Sequence, residues 1–204
     1  MKEITQDKFI YKSVAFIMCK LLYRVKYVNV EKMPKDGAFL LCSNHLCNAD
    51  PIFICAYGPR IARFMAKKEL FTVPVLKDVI TALGAFPVDR GTVDLPAIRK
   101  GLSLLSKGEP VGIFPQGTTH YKGMEPRTTP TKTGLGMLAV RSKATIFPVA
   151  LKVKGNKVHL FSKIEVIYGD PIPASEYGIG EMTPDEYRRI TDLAFDRICS
   201  LLEQ

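Results

Sequence analysis

A histidine and an aspartate stand five positions apart in the stretch Asn44-His45-Leu46-Cys47-Asn48-Ala49-Asp50-Pro51. These two residue types make a general base and the carboxylate that orients it. Imidazole titrates near neutrality, and an acid on one ring nitrogen fixes the tautomer and stabilises the imidazolium that forms. Residues five apart do not share a helix face, so the pair needs a turn. The flanks supply one: Ala38-Phe39-Leu40-Leu41-Cys42 is an apolar run of strand length, and Asp50-Pro51 is an N-cap residue followed by the proline favoured at the first helical position. His45 is expected at a solvent-facing strand exit and Asp50 at a helix start, the turn folding one onto the other. A plain helix cap would also account for Asp50.

Three further segments place polar residues directly after apolar runs. Gly84-Ala85-Phe86-Pro87-Val88 leads into Asp89-Arg90, and Ile113-Phe114-Pro115 leads into Gln116-Gly117-Thr118-Thr119; Lys68-Glu69-Leu70 precedes them and Ile146-Phe147-Pro148-Val149-Ala150 follows. Ligands gather at the carboxyl ends of parallel strands, where helix N-termini and turns offer N–H groups. If these strands are parallel neighbours, His45, Arg90 and Gln116-Gly117 share one edge. An exposed charge for Arg90 and a simple turn for Gly117 remain the alternatives.

The elements needed to position these residues alternate. Strands are predicted over Tyr27–Val30, 38–43, Arg63–Ala66, Ala85–Val88, Pro110–Phe114, Thr145–Val153 and Lys157–Tyr168. Helices are predicted from Pro51, over Val75–Leu83, Leu95–Ser106 and Lys132–Ser142, with a Gly/Thr/Pro-rich loop reaching Thr131. A last helix starts at the capping box Thr183-Pro184-Asp185-Glu186 and carries Tyr187, Ile190, Ala194, Ile198 and Leu201 on one face. The alternation defines a single α/β domain with a largely parallel central sheet flanked by helices. At 204 residues and 47 % hydrophobic composition, one core is enough.

Residues 8–25 divide on a helical wheel. Lys8, Lys12, Ser13, Lys20 and Arg24 fall on one half; Ile10, Val14, Ile17, Met18, Leu21, Leu22 and Val25 fall on the other. Residues 1–25 are thus expected to form an amphipathic membrane-interface helix ahead of a domain over 26–204, a helix docked on its own core being the alternative. The apolar stretch Val14 to Cys19 is far short of the roughly 20 residues of a bilayer span. It also lacks the small-residue cleavage site of a secretory signal, so the first residues are expected to stay on the mature chain.

A formal charge of +9 implies an anionic partner: nucleic acid, an acidic carrier or a phospholipid surface. The absence of zinc-finger and RNP patterns, of tryptophan and of basic runs interleaved with aromatics argues against nucleic acid. Five cysteines, an odd number with no C-x-x-C pair, fall mostly in apolar segments, as reduced thiols of a cytosolic protein do. Cys47 beside His45 is a conceivable nucleophile, but a small buried filler is the commoner use. Three dispersed histidines argue against a metal site.

With all four blocks in this order, the chain resembles the glycerolipid acyltransferases, typified by 1-acylglycerol-3-phosphate O-acyltransferases, over about residues 28 to 173. The resemblance implies a glycerol-3-phosphate acyltransferase-like fold, with His45 and Asp50 as the catalytic pair. It implies that Arg90, Gln116, Gly117, Thr118 and Thr119 contact the acceptor phosphate, that N–H groups near Gly117 stabilise an oxyanion, and that Arg127 or Lys132 adds charge. The implied enzyme is a peripheral protein at the cytoplasmic face of the cell membrane, needing neither cofactor nor metal. It would move a fatty acyl group from acyl-CoA or acyl-ACP to a lysophospholipid, most simply lysophosphatidic acid, in phospholipid synthesis. In the third block the family's Phe-Pro-Glu-Gly-Thr-Arg is Phe114-Pro115-Gln116-Gly117-Thr118-Thr119. One negative and one positive charge are lost together, and with the arginine goes a bidentate phosphate partner. A different lysolipid acceptor, or a lipid-binding homologue without catalysis, is the alternative that this exchange motivates.

Overall fold

The computed structural model describes residues 8–89, 94–119, 121–178 and 180–204. Its strands are β1 (Arg24–Val28), β2 (Phe39–Ser43), β3 (Arg63–Lys67), β4 (Phe86–Val88), β5 (Val111–Ile113), β6 (Thr145–Val153) and β7 (Lys163–Tyr168). They form one sheet in the order β1-β7-β6-β2-β5-β3-β4. β6 and β7 pair antiparallel; the other five neighbouring pairs are parallel. The helices are α1 (Lys8–Phe16, continued by a π turn over Ile17–Leu22), α2 (Asp50–Cys55), α3 (Leu76–Ala82), α4 (Leu95–Ser106), α5 (Gly134–Ser142), α6 (Ala174–Tyr177) and α7 (Pro184–Leu202).

All five residues of β2 are buried, as a central strand covered on both faces must be. Its period of two sends Leu40 and Cys42 into a core with Ile98 of α4, Leu138 of α5 and Ile190 of α7. Phe39 and Leu41 enter a second core on the opposite face, with Tyr11 of α1, Phe53 of α2, Phe147 and Tyr168. α7 buries Tyr187, Ile190, Ala194 and Ile198 along the expected face, and Thr183 caps it by accepting from the Glu186 N–H at 3.3 Å. α5 approaches α7 so closely that a Cβ on Gly136 would lie 1.9 Å from the Tyr187 carbonyl oxygen. Only glycine fits there.

Three differences from the sequence expectations concern segments near the site. The first helix ends at Leu22, and Arg24 and Val25 belong to β1, whose pairing starts at Arg24 opposite Lys163. β1 stops at Val28, before the Val30 expected, because Asn29 turns left-handed at φ 59°. The last strand starts at Lys163 rather than Lys157, the preceding residues forming a turn in which Phe161 has φ 64°. α1 packs through Tyr11, Ala15 and Cys19, spaced four apart, and Tyr11 Oη donates to the Pro51 carbonyl at 3.1 Å. Ile17 and Leu21, expected on the apolar half, therefore point outward. α6, a single turn, carried no recognised sequence signal.

Candidate active site

Where the main chain leaves β2, the Asn44 carboxamide takes over the pairing. Its Nδ2 donates to the Leu151 carbonyl at 2.9 Å and its Oδ1 accepts from the Leu151 N–H at 2.8 Å, so the side chain adds one rung to the β2–β6 ladder. His45 follows, held on three sides. Its N–H donates to Gln116 Oε1 at 2.8 Å, its Nδ1 lies 2.8 Å from Asp50 Oδ2, and its ring stacks on Phe114 with centroids 3.9 Å apart and planes 7° from parallel.

The expected solvent-facing base is instead a buried one, only 4 % exposed. The physical reason is that Phe114 exits the adjacent strand at the same level and covers the ring.

Asp50 is fully buried, and four donors converge on it. Besides the ring, the N–H groups of Leu46 and Cys47 donate to Oδ2 at 2.6 and 2.9 Å, and the Cys47 thiol to Oδ1 at 3.2 Å. As a carboxylate it accepts all of them, which offsets the desolvation a lone buried charge would suffer. Asp50 is the first residue of α2 rather than its N-cap, which is Ala49. Its side chain turns back over the 46–47 turn and locks the His45 loop. Burial, followed by the nearby Asp50 charge, pushes the Cys47 thiol well above its ordinary range. A thiolate nucleophile is thereby disfavoured. With Nδ1 donating to the carboxylate, the neutral imidazole carries its lone pair on Nε2, the arrangement of a general base.

The segment after β5 supplies the rest. Gln116 is 3 % exposed, and its Nε2 donates to Thr129 Oγ1 at 2.8 Å, whose hydroxyl donates to the Pro126 carbonyl at 2.7 Å. Both ends of Gln116 are engaged inside the protein. Its expected role as a substrate contact gives way to one in positioning His45. Gly117 has φ 68°, and its N–H donates to the Phe114 carbonyl at 2.9 Å. That N–H is engaged in closing a turn. Thr118 and Thr119 lie half-buried just beyond. Arg127 faces α7, where its Nε lies 2.6 Å from Glu203 and its Nη1 3.4 Å from Asp196, so the structure does not bring it to the site. Lys132 is exposed; its N–H donates to the Pro115 carbonyl at 2.7 Å, and its Cγ would be 3.1 Å from a Cβ on Gly117. Arg90 lies outside the described residues. Before it, Asp89 is paired with Lys68. After it, Asp94 caps α4 by accepting from Ala97 N–H at 2.9 Å and also accepts from Asp89 N–H at 2.6 Å.

A cavity of about 360 Å³ opens between α4 and α5. Met65, Ile98, Ile113 and Met137 form apolar walls, and Gly117 and Lys132 stand with them in its lining. Phe114 also lines it, and His45 stacks on that ring. Among the described residues, no group of three His, Cys, Asp or Glu side chains is placed to hold a metal ion. Asn44, Phe114 and Thr129 were not assigned roles from sequence. An asparagine at a strand exit signals side-chain pairing with the backbone. Thr129 offered no signal, because its partner is fixed only by the fold.

A buried histidine–aspartate pair at the carboxyl edge of a mostly parallel sheet, beside an apolar cavity with a cationic residue, is suited to base-assisted group transfer. The Acyltransferase family model matches residues 24–152, and the chain belongs to that family of enzymes. It is similar to the 1-acyl-sn-glycerol-3-phosphate acyltransferase of Bacillus subtilis (strain 168), with 32 % identity over 156 residues covering 75 % of this chain and 76 % of that protein. The protein of the same name from Streptococcus pneumoniae (strain ATCC BAA-255 / R6) is 29 % identical over 184 residues, 86 % of this chain and 67 % of the relative. The crystal structure of the 1-acyl-sn-glycerophosphate (LPA) acyltransferase PlsC from Thermotoga maritima shares the fold, with a TM-score of 0.68 at 22 % identity over 99 % of this chain and 79 % of that one.

Proposed function

We propose that this acyltransferase moves a fatty acyl group from an acyl thioester, on coenzyme A or acyl carrier protein, to the free hydroxyl of lysophosphatidic acid, giving phosphatidic acid. The observation that carries the mechanism is the 2.8 Å contact between His45 Nδ1 and Asp50 Oδ2. His45 Nε2 takes the hydroxyl proton as the acceptor oxygen attacks the thioester carbonyl. When the C–S bond breaks, the imidazolium returns that proton to the leaving thiolate. No enzyme nucleophile is required, because the thioester is already activated. The names of the relatives in two bacterial species support the acceptor.

The cavity walled by Met65, Ile98, Ile113 and Met137 suits an acyl chain, and Lys132 in the same lining suits a phosphate. Arg90 is proposed to share that phosphate, with Thr118 and Thr119 donating neutral hydrogen bonds. No helix among the described residues is long and apolar enough to cross a membrane. The N-terminal segment, with its basic and apolar faces, is proposed as a peripheral contact with the cytoplasmic face of the bilayer that holds the acceptor. The test is thiol release from acyl-CoA and acyl-ACP by the purified protein with a panel of lysolipids. Release with lysophosphatidic acid above the other headgroups is expected. Release only with a different headgroup would replace the acceptor, and no release from either donor would remove the proposal.

A further inference from the structure

Strand direction decides which surface shares an edge with His45. β6 runs parallel to β2, β7 antiparallel to β6, and β1 parallel to β7. The amino ends of β1 and β7 therefore lie on the same edge as the carboxyl end of β2. The π turn that precedes β1 and the turn over residues 157–162 that precedes β7 meet there: Phe161 N–H donates to the Leu22 carbonyl at 2.8 Å and Arg24 N–H to the Ser162 carbonyl at 3.0 Å. At this junction four large apolar side chains face solvent, Ile17 (48 % exposed), Leu21 (60 %), Leu160 (57 %) and Phe161 (58 %).

Phe161 adopts φ 64°, a left-handed conformation that bulky side chains rarely hold. Strain of this kind clusters at functional positions, and here it holds an aromatic ring outward. The charge around the patch is mostly positive, with Lys26 offset by Glu165 at 2.8 Å. Residues 8–28 contain five lysines and arginines and residues 157–163 contain two lysines, with no carboxylate in either stretch. Arg24 and Lys163 are register partners, both exposed.

We propose that the 157–163 turn is a second lipid contact, with Leu160 and Phe161 entering an anionic phospholipid surface beside Ile17 and Leu21. Apolar side chains ringed by cations suit that surface, whose acyl region receives the former and whose headgroups attract the latter. The choice of a lipid over a protein partner rests on the acyl-transfer reading, in which the acceptor is dissolved in the bilayer. The same edge would then present the His45 site to its substrate.

The chain contains no tryptophan, so Phe161→Trp is a single-site reporter. Ser106→Trp is its control: Ser106 ends α4 just before β5 and is exposed at the opposite edge of the sheet. Full-length variants would be mixed with vesicles of phosphatidylglycerol and phosphatidylcholine, with and without brominated acyl chains. A blue shift and bromine quenching of Phe161→Trp, absent from Ser106→Trp, is expected. Leu160→Trp provides a second reporter should Phe161→Trp misfold. Phe161→Gly, which tolerates φ 64°, should weaken vesicle binding by about tenfold through loss of buried apolar area.

Co-sedimentation with unchanged reporter emission, equal responses from both positions, or no vesicle binding at all would overturn the proposal and leave the patch to a protein partner. The two readings fail separately. Insertion of Phe161→Trp without thiol release by the wild-type enzyme removes acyl transfer alone. Thiol release with an unmoved reporter removes the lipid contact alone.

Discussion

Between Asn44 and Asp50, the residues that define the base are buried, and the Asn44 carboxamide, the His45 N–H and Nδ1 and the Asp50 carboxylate each meet a protein partner. Between Tyr121 and Pro130, only Pro126 and Thr129 are buried, and the segment lies mostly open to solvent. The turn is anchored in one core through Leu46 and has little freedom to change. The loop is free to vary, and near its start stand the two departures from the family pattern, Gln116 and Thr119. Gln116 joins the two regions, with one end on the His45 N–H and the other on Thr129. On the proposed reading, chemistry is set by the core and acceptor recognition by the surface.

The largest expected effect breaks the rigid side of this comparison. His45→Ala should lower the transfer rate by about two to four orders of magnitude, the usual loss on removing a general base. Because the ring is stacked and buried, the thermal midpoint should fall with it. A folded variant that keeps most of its rate would refute the mechanism. Next comes the joint between the regions. Gln116→Ala leaves the buried His45 N–H without its acceptor and should destabilise the protein by about 1–3 kcal/mol, read by denaturant unfolding. If Gln116 touched substrate instead, the loss would show in acceptor affinity at unchanged stability.

The loop side is tested through its cations. Lys132→Ala should raise KM for a phosphate-bearing acceptor by the equivalent of about 1.5–3 kcal/mol, a charged hydrogen bond. Arg127→Ala should leave it unchanged, since that guanidinium is paired with Glu203 and Asp196. Equal effects from both would erase the distinction.

The smallest effect lies away from both regions. The Arg189 hydrogen bond lowers the Glu186 carboxyl to about 2, so its contribution to stability is present above its ordinary pKa of 4.5 and is lost as pH falls through about 2. Thermal scans of the wild type and Glu186→Gln should differ near neutrality and converge toward pH 2. A gap that persists at pH 2 would assign the effect to something other than this ionisation.

Strong local signals carried much of the fold in the sequence. α4 runs from Leu95 to Ser106 and β6 from Thr145 to Val153, as their apolar periodicity predicted, because caps and flanking breakers bounded both. The Lys157–Tyr168 strand was overextended because its first half is apolar enough to read as a strand. Only the pairing with β1 and β6 shows where the ladder starts. At the site, the bond between His45 and Asp50 was legible from two residue types and one turn. The stacking on Phe114, the double use of Gln116 and the diversion of Arg127 toward α7 were not. Each depends on a partner from a separate segment, and spacing along one chain carries no information about such meetings. The helical wheel of residues 8–25 placed Ile17 and Leu21 on the apolar half but did not show which residues dock on the core, because Tyr11, Ala15 and Cys19 form a narrower stripe than half a wheel.

The Asn44 rung has a consequence for how the molecule comes apart. The Leu151 amide hydrogen is bound to that side chain between two central strands, so it reaches solvent only when this rung opens. The rung ties the base-bearing turn to β6, so the two are expected to open together. Amide exchange at Leu151 would therefore report on that opening, and activity is expected to disappear with it.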